Sequence, residues 1–147
     1  MQRLAGRRVY IDSNVFIYFL DRSPALAQAA DRVMAFASSG ACQGVTGDLA
    51  VAEVLVGAYR HRDDESAERI RGFFRTPDLL TVVSHSSADF VLAARVRGEQ
   101  GAALVDALHV ATALNAGCTV LVTNDARMPS VPGLEVVRLQ EFEQLDR

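Results

Sequence analysis

"RRVYIDSNVF", residues 7 to 16, carries the chain from a short β-branched and aromatic run into Asp12 and then into a helical pattern. The run Arg7 to Ile11 reads as a strand, and Asp12-Ser13-Asn14 is good turn chemistry, because Asp and Asn side chains bond the backbone two residues on. The same event recurs near the other end, where "TVLVT" (119–123) meets Asn124 and Asp125. Between the two, strands alternate with helices. "CQGVT" (42–46) and "LLTVV" (79–83) read as strands, and "LEVVRL" (134–139) reads as an edge strand. Helices are expected at about 14–20, 25–38, 48–60, 63–75, 87–98 and 103–117, with a short closing helix at the end. Strand-helix alternation predicts a mainly parallel sheet of about five strands between two helical layers, in a single domain over 1–147. In such sheets the ligand site lies outside the carboxyl ends of the strands. Asp12 and Asp125 both stand at that end.

Composition narrows the class. Half of the 147 residues are hydrophobic, enough for one sizeable core, and the net charge of −3 gives no overall attraction to nucleic acid or anionic lipid. All 15 basic residues are Arg and none is Lys. A phosphate-binding P-loop needs its Lys, and phosphotransfer pockets with an Asp after the first strand normally use one beside their acids. Position 14, two after Asp12, is Asn rather than a second Asp, which also argues against that class. Cys42 and Cys118 lack CxxC spacing and read as small buried hydrophobes in a reducing compartment. Asp12 and Asn14 interrupt the apolar stretch that an export signal would need, and no run reaches membrane-span length, so a cytoplasmic protein without membrane contact is expected.

Four carboxylates occupy expensive places. Glu53 lies in a segment, 49–58, with no other charge; its helical neighbours Leu49, Ala50, Val56 and Gly57 offer no ion pair. That helix, 48–60, is apolar nearly all round and is expected to be buried. Asp106 interrupts a second apolar helix, where only His109 could carry charge. Each acid also has a structural explanation. Glu53 could reach solvent at a helix rim, Asp106 could cap its helix, and Asp12 and Asp125 could simply form turns. If the two strands are neighbours, all four converge. At about 4 Å and an effective dielectric near 20, each pair of carboxylates repels by roughly 4 kcal/mol, so a cluster must bind cations or take up protons. Oxygen ligands without a matching Cys/His set favour Mg²⁺ or Mn²⁺. His109 reads as a structural or orienting residue rather than a ligand.

The order "VYIDSN", a lone Glu in an apolar helix, "VDALHVATAL" and "LVTND" resembles the PIN-domain ribonucleases, most of all the toxins of VapBC-type toxin–antitoxin pairs. The resemblance covers nearly the whole chain and implies a three-layer α/β/α fold. It makes Asp12, Glu53, Asp106 and Asp125 the metal-binding acids, and Asn14 and Thr123 polar residues that orient an acid or a water. It further implies Mg²⁺- or Mn²⁺-dependent endonucleolytic cleavage of RNA by metal-activated water. The implied partners are a homodimeric second copy and a small antitoxin whose tail fills the groove beside the acids. Where such toxins often carry an aromatic soon after the last acid, this chain has Met128 and Pro129. Two further readings remain at this point: a catalytically inactive PIN-like RNA- or protein-binding module, and a housekeeping ribonuclease without antitoxin. Ile70, Phe73 and Phe74 on the 63–75 helix are either core or a partner surface. Arg7, Arg8, Arg22, Arg60, Arg62 and Arg127 lie near loops where they could meet phosphates.

Overall fold

The computed structural model of the chain describes residues 1–143; residues 144–147 of the expected domain lie outside the described residues. The elements run β1 (Arg8–Ile11), α1 (Ser13–Leu20), α2 (Ala27–Ser38), β2 (Gln43–Gly47), α3 (Asp48–Arg60), α4 (Asp64–Phe74), β3 (Thr81–Val83), α5 (Ser87–Gln100), α6 (Leu104–Asn115), β4 (Val120–Thr123) and β5 (Glu135–Arg138). A 3₁₀ turn, Leu139–Phe142, follows β5, and the rest of the expected closing helix lies outside the described residues. Five parallel strands form one sheet in the order β3-β2-β1-β4-β5. The strands and helices are those expected, with bounds shifted by a residue or two. Among the described residues no helix is long and apolar enough to cross a membrane.

Period-two alternation distributes the sheet's side chains between two helical layers. Val9, Ile11, Val120, Val122 and Val137 face one core with Val15, Phe16, Val33 and Met34 of α1 and α2. Tyr10, Val45 and Leu121 face the other, against Val110 and Ala113 of α6. Strand order reverses at β1, since β2 lies on one side of it and β4 on the other. Parallel sheets open a crevice at such a switch point. Residue Ile11 pairs with Val122, so the residues that follow, Asp12 and Thr123, come out side by side at the carboxyl edge.

The expectation for α3 changes. Helix α3 is not buried all round: only Ala50 and Val54 are buried, while Val56 and Tyr59 are 48% and 52% exposed. It packs chiefly on α4 and α1, which leaves its remaining apolar side open, and hydrophobicity alone cannot say which faces a neighbour covers. On α4, Phe73 and Phe74 belong to the core, stacked edge-on with each other and with Phe16. Ile70 packs against the same core and also lines a surface groove.

The start of α3 is capped from outside. Its N-cap, Gly47, has no side chain to offer, and the Leu49 amide donates instead to His85 Nε2 at 2.9 Å. An acceptor Nε2 leaves Nδ1 as the protonated nitrogen, donating to Thr112 Oγ1 at 2.7 Å. Gly47 makes room for this: an added Cβ would lie 2.8 Å from His85 Cε1 and 3.0 Å from Tyr10 Oη.

Burial, helped by the nearby charge of His109, lowers the His85 pKa, so the folded state favours its neutral ring. The sign follows from linkage. This contribution to stability is complete above the unfolded value of about 6.5 and is lost as pH falls toward the lowered folded value. His85→Gln is therefore expected to destabilise the protein more at pH 7.5 than at pH 5.5, as read from urea midpoints of the two proteins. An equal difference at both pH values would rule out the neutral cap.

Candidate active site

Asp12 closes β1 and opens α1. Its Oδ1 accepts the Ser13 amide at 2.7 Å, so the residue is the N-cap of α1, as its turn chemistry suggests. Its Oδ2 accepts from Thr123 Oγ1 at 2.6 Å and Asn14 Nδ2 at 2.8 Å. Asn14 also accepts the Asn124 amide, and Thr123 Oγ1 accepts the Asp125 amide, both at 3.0 Å. These two polar side chains thus bind the end of β1 to the loop after β4 and fix the Asp12 carboxylate, although it is almost wholly buried. Orientation of an acid is the role expected of them.

Glu53 points from α3 into the same crevice. It does reach the rim, with its side chain about one-third exposed, but it also has a partner: His109 Nε2 lies 2.6 Å from its Oε1. The same Nε2 is 3.6 Å from Asp12 Oδ1, and His109 Nδ1 meets Tyr10 Oη at 2.9 Å. Asp12, Glu53 and His109 therefore offer three ligand atoms within 4.8 Å of one another. Burial disfavours the His109 imidazolium, but the Glu53 hydrogen bond and the charges of Asp12, Glu53 and Asp106 outweigh it and raise the pKa. Sequence alone does not bring His109 into this group. Its spacing, one turn after Asp106, and the placing of Tyr10 on the α6 face of β1 were the available signals.

Asp106 lies in the first turn of α6 and makes no cap hydrogen bond; Ala103 holds the cap position. Burial raises its pKa, reinforced by the charges of Asp125 and Asp12. Asp125 is both a turn residue and part of the acidic crevice. Its Oδ1 accepts the Arg127 amide at 2.9 Å, and the Arg127 guanidinium grips both oxygens, at 3.1 and 3.0 Å. Those bonds hold the Asp125 pKa below the usual carboxylate range. The compact group of three ligand atoms does not extend to Asp106 and Asp125, which flank it. A mainly carboxylate donor set, with one acid pushed toward protonation and another neutralised by an arginine, suits a hard divalent cation.

The molecule is thus a parallel α/β protein with an acidic crevice at the switch point of its sheet. It belongs to the PIN-domain family, whose sequence pattern matches residues 9–134. No curated protein sequence matches the chain. Solved structures with the same fold include one chain of a toxin–antitoxin complex from Klebsiella pneumoniae, 20% identical over 86% of this chain and 94% of that one, with a TM-score of 0.66. A chain of DNA-bound VapBC from Salmonella typhimurium is 16% identical over 90% and 98% of the two chains, with a TM-score of 0.70. VapC20 of Mycobacterium tuberculosis, a toxin that cleaves the sarcin–ricin loop, is 15% identical over 82% and 92%, with a TM-score of 0.67.

Proposed function

We propose that this chain is a Mg²⁺- or Mn²⁺-dependent endoribonuclease and the toxin of a toxin–antitoxin pair. The observation that carries the reading is the group of ligand atoms from Asp12, Glu53 and His109 within 4.8 Å of one another in a PIN fold, with Asp106 close enough to feel the charges of Asp12 and Asp125. A divalent ion there would supply a water acidic enough to attack phosphorus and would offset charge on the phosphodiester. The chain's own residues prepare this chemistry. Thr123 and Asn14 aim the Asp12 carboxylate, so that it does not have to reorganise during the reaction. His109 holds the Glu53 carboxylate through its Nε2 at 2.6 Å and so fixes it toward Asp12.

The test is cleavage of single-stranded or structured RNA by the whole chain with Mn²⁺ or Mg²⁺, stopped by EDTA. Mapping the 5′ ends of cut cellular RNA would identify the target, whether transfer, ribosomal or messenger RNA. RNA that is bound but never cut, whatever the cation, would favour the inactive binding module. Thr123→Val, which removes the hydroxyl from Asp12 and from the Asp125 amide, is expected to lower kcat/KM about 10- to 100-fold with the fold intact. Unchanged kinetics would remove Thr123 from the site.

Two surfaces support the proposed partners. A groove of about 410 Å³ runs from Glu53 between α1, α3 and α4; Ile17, Leu20 and Ile70 make it apolar, and Asp21 and Asp63 make it acidic. An antitoxin tail with apolar and basic side chains fits that chemistry, and a small reading frame immediately upstream would favour a toxin over a housekeeping ribonuclease. Helices α5 and α6 expose Phe90, Val91, Leu104 and Val105, which supports a homodimer through this pair. Sedimentation as a monomer at micromolar concentration would sink the dimer.

A further inference from the structure

The four acids do not stand in equivalent states. Both oxygens of Asp125 are taken by one side chain, the Arg127 guanidinium, whose Nε and Nη2 lie 3.1 and 3.0 Å away. A carboxylate gripped in this fork has little lone-pair capacity left for a cation. Yet the fork is open to water on its other side, since the Arg127 side chain is 85% exposed. Exposed ion pairs are weak holds, so a divalent ion can displace this one.

Where the released guanidinium would go is also visible. Arg127 walls a cavity of about 440 Å³ together with Gln100, Gly101, Ala102, Ala103 and Asp106. Ala103 is the cap position of α6 and makes no side-chain cap hydrogen bond. A guanidinium released from Asp125 would stay on the wall of this cavity, where it can meet a phosphate oxygen beside Asp106, which lines the same space.

We propose that Arg127 is an exchangeable counterion: it holds Asp125 while the crevice lacks a divalent cation and transfers to a phosphate of the RNA strand when a cation takes Asp125. The proposal rests on the metal-nuclease reading above and adds a positioning residue to it. Order of events follows from the geometry. Because the cation must displace Arg127, its arrival and the appearance of a phosphate ligand are the same step.

The experiment uses the full chain without RNA, titrated with Mn²⁺ and followed by the electron paramagnetic resonance of the free ion. Arg127→Gln and Arg127→Lys are both expected to bind Mn²⁺ about two- to fivefold more tightly than the parent, since neither can grip both oxygens. Tightening in Arg127→Gln alone would mean that net charge, not the fork, opposes the cation, and would overturn the proposal. Parental affinity in both variants would overturn it too, while leaving the metal site intact. A parent chain that binds no Mn²⁺ would instead bring down the nuclease reading, and this inference with it. In the second arm, fluorescence anisotropy follows a labelled single-stranded RNA with Ca²⁺ present. The log–log salt dependence of binding should be shallower by about 0.7 in Arg127→Gln, the share of one phosphate contact. An unchanged slope would show that the released arginine does not reach phosphate.

Discussion

Asp12→Asn is expected to lower RNA cleavage by about a thousandfold or more, the equivalent of several kcal/mol of charge stabilisation supplied through a bound metal. The substitution keeps the shape of the side chain and removes its charge. It also disturbs hydrogen bonding, because both oxygens now accept: Oδ1 from the Ser13 amide, Oδ2 from Thr123 and Asn14. An amide nitrogen at either position would face a donor. Against that, the variant removes one charge from a crowded group that includes Glu53 and Asp106. Thermal melting of both proteins separates the effects, and a variant that melts near the parent yet does not cut RNA satisfies the expectation. Cleavage that persists in Asp12→Asn would expose a contaminating nuclease or a wrongly assigned site.

Phe16→Ala should produce the largest loss of stability, about 3–5 kcal/mol, a third or more of what a domain of this size usually has. Phe16 is fully buried, with its ring centroid 4.9 Å from Phe74 and 6.1 Å from Phe73, both edge-on. It therefore joins α1 to α4, and truncation leaves a cavity that the two remaining rings, Phe73 and Phe74, cannot collapse to fill. Urea unfolding followed by circular dichroism measures the change, with Phe16→Leu as a milder comparison expected below about 1.5 kcal/mol. A loss as small in Phe16→Ala as in Phe16→Leu would mean that the aromatic cluster does not hold α4 in place.

The strands that end in acids were legible because each is an apolar run stopped by Asp or by Thr-Asn-Asp, and neighbouring registers brought their ends together. The bounds of α3, 48–60, could be read from its continuous apolar pattern; its exposure could not, because that depends on which helices lie over it. The Glu53 partner of His109 was not legible for a related reason. One turn of helix separates His109 from Asp106, but its closest carboxylate, Glu53, is 56 residues away in sequence and reaches it from another helix. The grip of Arg127 on Asp125 depends on a two-residue turn whose side-chain geometry no pattern of residue types reveals.

The sheet's two outer strands restrict how another protein can engage this one. β3 has only three residues, and β5 has four, of which Glu135 is held by Arg3 and Arg7 at 2.6 and 2.5 Å. Margins this short, one of them carrying a paired charge, give an incoming peptide little backbone to zip onto, so β-augmentation is a poor route of recognition here. Complexes of this protein should accordingly be built by helices laid into its grooves and against its helical faces, leaving the five-stranded sheet no wider than it is in the isolated chain.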